Sequence, residues 1–122
     1  MELNDLIGYI KELDLKAVDI ICKKNHDYAA PESDKDNPLK LFKNLMACEF
    51  MGITKTEQGM LIRLTDKFSR LCNLLKEGHK IAVKDESLED TVIDIQNYLK
   101  LLLAYRKVKK SYENPPQGQK PD

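Results

Sequence analysis

With 42% apolar residues, the 122-residue chain can bury a core of its own, which excludes wholesale disorder and implies one domain. Its 20 basic and 20 acidic side chains cancel, so the net positive field of a DNA-wrapping surface is missing and nucleic acid is not the favoured partner. No apolar run reaches the about 20 residues that span a bilayer and the N-terminus has no signal-peptide pattern, so a cytoplasmic protein without membrane contact is expected.

Leu3, Leu6, Ile7, Ile10, Leu13, Ala17, Val18 and Ile21 recur at spacings of three and four, which predicts a long amphipathic helix ending near Asn25. His26 to Asn37 turns polar and carries Pro31, so it reads as a loop. Asn37 before Pro38 fits an N-cap with proline at the first helical position. The second predicted helix carries Leu41, Phe42, Leu45, Met46 and Phe50 and stops at Gly52.

Thr54-Lys55-Thr56-Glu57 fits a capping box that opens a third helix running to about Glu77. Leu61, Leu64, Phe68, Leu71 and Leu75 form its expected inward face, and Gly78 its C-cap. A linker to Asp85 follows, anchored by Ile81 and Val83. Ser87 and Asp90 resemble a further capping box, and the last helix runs to about Lys109 with Leu88, Val92, Ile95, Leu99, Leu102 and Leu103 inward. From Ser111 the chain is proline-bearing and has little to bury, so it is expected to be a loose tail. The predicted architecture is an all-α, compact bundle of about four helices in one domain over 1–110, with a flexible tail over 111–122.

Cys22, Cys48 and Cys72 each sit in an apolar helical pattern and are expected to be buried free thiols; thiolate-held metal is not expected. The chemistry lies elsewhere. Asp90, Asp94 and Asn97 fall on one side of the last helix, and oxygen-bearing groups of this kind suit magnesium, with Glu86 and Glu89 as additional carboxylates. Ser87, Glu89 and Asp90 also serve a helix N-terminus, through capping and the dipole, whereas Asp94 and Asn97 lie too far in for that.

On the third helix, Arg63, Lys67 and Arg70 lie four and three apart, a spacing for a phosphate chain or a carboxylate row on a neighbouring helix. An ordinary solvated face, with Asp66 pairing Arg70, is the alternative. Lys23 to Tyr28 marks the junction of the first helix and its loop, where Tyr28 would stack on a base and Asn25 or Asp27 would read a base or ribose edge. His26 suits an exposed or capping role, and Tyr98 either a core aromatic or a pocket wall.

Three elements together resemble the phage and bacterial family called nucleotide modification associated domain 1: Lys24-Asn25-His26-Asp27-Tyr28, Lys67-Phe68-Ser69-Arg70, and Glu89-Asp90-Thr91-Val92-Ile93-Asp94-Ile95-Gln96-Asn97-Tyr98. The resemblance implies a helical protein of nucleotide metabolism, with Asn25, Asp27, Tyr28, Lys67, Arg70, Asp94, Asn97 and Tyr98 as its site. More distantly, the acidic helix is similar to the MazG and dimeric dUTPase class of all-α nucleotide pyrophosphohydrolases. Glu86-Ser87-Leu88-Glu89 supplies one carboxylate pair of that class in form, but no later E-x-x-D pair follows.

The leading expectation is a magnesium-dependent enzyme that cleaves a phosphoanhydride of a nucleotide or modified nucleotide. Asp94 and Asp90 would be catalytic, with Glu86 and Glu89 as further metal ligands. Asn25, Asp27, Tyr28, Arg63, Lys67, Arg70, Asn97 and Tyr98 would bind the nucleotide. The alternatives are a noncatalytic nucleotide-binding or sequestering protein of phage origin, and a helical protein-interaction module. A homodimer is expected in any case, since helical domains of this size often gain core by association.

Overall fold

A computed structural model describes residues 1–28, 37–76 and 88–113, with the side chains of Asp27 and Tyr28 outside the description. They form the all-α bundle that the periodicity predicts: α1 (Leu3–Tyr28), one 3-10 turn (Lys40–Phe42), α2 (Ala47–Phe50), α3 (Thr56–Leu74) and α4 (Leu88–Glu113). Among the described residues there is no strand, and no helix is long and apolar enough to cross a membrane. The loop around Pro31, the Gly78 cap, the Ile81 to Val83 linker, the Ser87 cap and the chain beyond Glu113 are sequence expectations that lie outside the described residues.

Several boundaries differ from the sequence reading, each for a local reason. α1 does not stop at Asn25: that side chain donates to the Leu41 carbonyl at 2.9 Å instead of capping its own helix, and the helix runs on to Tyr28. The second helix is broken into the 3-10 turn and α2. Asn37 caps neither piece: its Oδ1 accepts from the Leu39 N–H at 2.9 Å in the turn before the first, whose N-cap residue is Leu39, and the second starts from Met46. Gly52 ends the segment as predicted, with φ at +74°, where a side chain would be strained.

At the start of α3 the Thr54-to-Glu57 capping box does not form; Lys55 is the N-cap residue and makes no side-chain cap. The Thr56 N–H is met by Glu49 Oε1 of α2 at 3.4 Å, so a carboxylate seven residues upstream takes over the capping. α2 can lie this close because Gly59 faces it: a Cβ there would sit 3.1 Å from Cys48 Cβ. At the other end of the chain, residues 111–113 belong to α4, one turn beyond the predicted stop.

The core is Phe42, Leu45, Met46, Met60 and Tyr105, with Leu39, Tyr98, Leu101, Leu102 and Val108 packed against it. Phe42 and Tyr105 meet edge to face at 5.6 Å and 72°, the arrangement that the ring quadrupoles favour. α3 and α4 form the main helix pair, running antiparallel: Met60 shares the core with Tyr105 while Lys67 reaches back to Asp94. α1 docks on α4 and α2 on α3.

The faces used in this packing are not the ones hydropathy selects. Leu64 and Ile95 are buried and Leu71 and Leu102 partly so, but Leu61, Phe68, Leu75, Leu88, Val92, Leu99 and Leu103 are exposed. Buried in α4 instead are Thr91, Ile93, Asn97 and Tyr105. Both helices are turned so that the mixed face carrying Lys67, Asp94, Asn97 and Tyr98 points inward. α1 behaves similarly: Ala17 is buried and Leu13, Ile20 and Ile21 partly so, but Leu3, Leu6, Ile7, Ile10 and Val18 stay exposed. The cysteines are free, but Cys22 and Cys72 are exposed and Cys48 only half-buried, which corrects the expectation of buried thiols.

Candidate binding cleft

Asp94 sits in the second turn of α4, where a carboxylate is not explained by the helix N-terminus. α1 and α3 each bring it a lysine. Lys67 Nζ bonds Oδ2 at 2.5 Å and Lys24 Nζ bonds Oδ1 at 2.9 Å, so both oxygens accept from an ammonium. Burial raises the Asp94 pKa, but the hydrogen bonds from Lys67 and Lys24, with the charges of both, outweigh it and hold the carboxyl below its ordinary value.

Because that folded-state value is depressed, the link contributes stability above the unfolded carboxylate pKa of about 3.9 and loses it as pH falls through the folded value. Below about pH 4 the urea midpoint of the wild type is therefore expected to fall more steeply than that of Asp94→Asn. Parallel acid limbs would show that the pair contributes nothing to folding.

One helical turn past Asp94, Tyr98 receives the same Lys67 ammonium over its ring, 4.8 Å from the centroid. Asn97 is buried; its Nδ2 donates to the Ala17 carbonyl of α1 at 3.1 Å, while its Oδ1 has no hydrogen-bond partner among the described residues. An acceptor in that state costs free energy until a donor reaches it.

These groups line a cavity of about 270 Å³ together with the apolar Ile21, Leu41, Leu45 and Leu101 and the polar Asn25, Asn44 and Lys24. A second cavity, of about 430 Å³, shares Lys24, Lys67 and Asp94 and adds Arg70, Asp90 and Thr91. The lysine–aspartate–lysine cluster is thus the common wall of two compartments. One is lined by amides, apolar groups and a tyrosine, the other mainly by charge.

Of the residues singled out from the sequence, Asn25, Lys67, Asp94, Asn97 and Tyr98 come together in the first cavity, and Arg70 and Asp90 join Lys67 and Asp94 in the second. Arg63 is not among the lining residues of either; both its terminal nitrogens lie 3.4 Å from the Asn44 carbonyl. Glu89 is engaged by Lys16 of α1. Asp27 and Tyr28 end α1, and the roles assigned to their side chains lie outside the described residues, as does Glu86. Lys24 and Asn44 are members that the sequence reading gave no role. Lys24 stood inside the Lys24-to-Tyr28 element, whereas Asn44 has no local signal at all.

The described carboxylates do not fit a magnesium site. No three His, Cys, Asp or Glu side chains converge among the described residues, and both Asp94 oxygens are already compensated by ammonium groups. The chain matches no family model, and no curated protein or solved structure matches it.

Proposed function

We propose that the protein binds a nucleotide, or a small nucleotide-derived anion, without transforming it, in the cleft between α1, α3 and α4. The observation that carries this reading is the convergence of two lysines from different helices on one cavity that Asn97 and Tyr98 also line. Phosphate oxygens would take the free hydrogens of the Lys24 and Lys67 ammonium groups, with Arg70 extending the basic wall. A base would lie by Tyr98 and Asn97. The first cavity is slightly below the about 300 Å³ at which ligand pockets usually begin, so a whole nucleotide would reach across the shared wall into the second. The resemblance to nucleotide modification associated domain 1 rests on several of the same residues and supports the same ligand class.

Titration calorimetry with nucleoside mono-, di- and triphosphates tests the proposal. Stoichiometric binding that survives chelation and returns the ligand unchanged is the expected result, and no heat with any nucleotide would overturn it. A second reading is magnesium-dependent hydrolysis of the same ligand, for which Asp90 and Asp94, lining one cavity with Lys67 and Arg70, are too few carboxylates by themselves. It requires carboxylates beyond the described set, with Glu86 as the candidate, and release of phosphate or pyrophosphate on adding magnesium would establish it.

A further inference from the structure

Leu61 and Phe68 of α3 and Leu75 at its C-cap recur every seven residues and so form one line; Val92, Leu99 and Leu103 form a line along α4. All six are exposed, between 37% and 70%. Both lines point the same way. On α3, the side toward α4 is marked by Lys67 and Met60, and the side toward α2 by Thr56 and Gly59. The leucine line lies on the flank opposite the α2 contact. On α4, Asp94 and Tyr98 mark the side toward α3 and Asn97 the side toward α1. Val92, Leu99 and Leu103 again lie on the flank opposite the docked helix. Among the described residues, α1 and α2 therefore cover one side of the antiparallel pair, and the apolar lines run along the other.

We infer that this apolar side of α3 and α4 is the interface with a second copy of the chain, and that two such pairs close into a four-helix arrangement. Three features select a second copy as the occupant. The six side chains expose on the order of 600 Å² of apolar surface, the upper end of what a monomer leaves in one patch and most of the about 800 Å² that each partner buries in a standard interface. Thr65, Cys72 and Gln96 beside the lines carry no formal charge, and the charged residues one turn from the lines are of both signs, Glu57 and Glu89 against Lys100, Arg106 and Lys107. A surface of mixed sign can meet its own image across a two-fold axis, where a row of like charges would repel itself. Finally, two antiparallel helices with heptad-spaced apolar residues on one side are half of a bundle whose other half supplies the same residues.

Light scattering on the purified chain is expected to give twice the 14.1 kDa chain mass, 2 × 14.1 = 28.2 kDa. The double variant Phe68→Glu, Leu99→Glu places four carboxylates in the closed interface and is expected to run at 14.1 kDa with its helical circular dichroism retained. Neither residue belongs to the core cluster of the single chain, where Phe68 is 47% and Leu99 43% exposed, and the retained circular dichroism separates loss of the dimer from loss of the fold. A wild type that stays monomeric at every concentration, or an oligomer that persists in the double variant, would overturn the inference. Capture of a different protein by a wild-type monomer would do the same. None of these outcomes depends on whether the cleft binds a nucleotide.

Discussion

Replacing Lys67 with methionine is expected to weaken phosphate-ligand binding by about 10- to 100-fold. A hydrogen bond to a charged group contributes about 1.5–3 kcal/mol, and each 1.4 kcal/mol is a factor of ten. Lys67 is the residue to choose because its ammonium belongs to both cavities, bonds Asp94 and lies over Tyr98. Methionine keeps most of the stem length and removes only the charge and the donors. Lys24 continues to hold Asp94, so the fold should survive, and a urea curve run beside the calorimetry separates the two effects.

The companion variant Asp94→Asn points the other way. It removes the carboxylate that an incoming phosphate must compete with, so a pure binding protein should hold its ligand at least as tightly as before. An enzyme that used Asp94 for metal would lose its turnover. Unchanged affinity in Lys67→Met would remove the cleft as the phosphate site.

The largest expected loss of stability comes from Tyr105→Ala, about 3–5 kcal/mol by the range seen for aromatic core truncations. Tyr105 is fully buried, packs edge to face on Phe42 and has the Lys109 ammonium 5.7 Å from its ring centroid. It belongs to the cluster that, among the described residues, joins α4 to the 3-10 turn, the segment before α2, and α3. Against a typical total of about 5–15 kcal/mol, its loss removes a large fraction of the folding free energy.

Tyr105→Phe should instead be neutral or mildly stabilising. The phenolic oxygen is buried with no partner among the described residues, so deleting it sacrifices no hydrogen bond and removes a desolvated polar atom. Urea denaturation of both variants checks the pair. A strongly destabilised Tyr105→Phe would show that the hydroxyl is bonded in solution.

The helical class, the order of the elements and the stop at Gly52 were legible because they depend on local spacing and one turn residue. The orientation of the helices was not. α3 and α4 each carry two usable faces, a purely apolar line and a mixed line of lysine, aspartate, amide and tyrosine. Hydropathy ranks the first face higher, while the packed chain turns the second one inward. The capping of α3 by Glu49 was equally invisible, since it depends on how α2 folds back over Gly59 rather than on the residues next to Thr56.

The same division runs through the site. Asp94, Asn97 and Tyr98 could be read together because three- and four-residue spacing puts them on adjoining turns, and Lys67 because a basic row suits a carboxylate row. Lys24 and Asn44 enter only through the crossing of α1 over α4 and the approach of the segment before α2. Those are consequences of tertiary packing that no window of sequence contains.

The ammonium above the Tyr98 ring also gives the protein a built-in optical signal. The chain has five tyrosines and no tryptophan, so tyrosine emission is not masked by a brighter indole. A ligand that draws Lys67 off that ring changes the field on one fluorophore in the cleft. Occupancy can then be followed at micromolar concentration on unlabelled protein, and the signal should vanish in Tyr98→Phe while the other four tyrosines still emit.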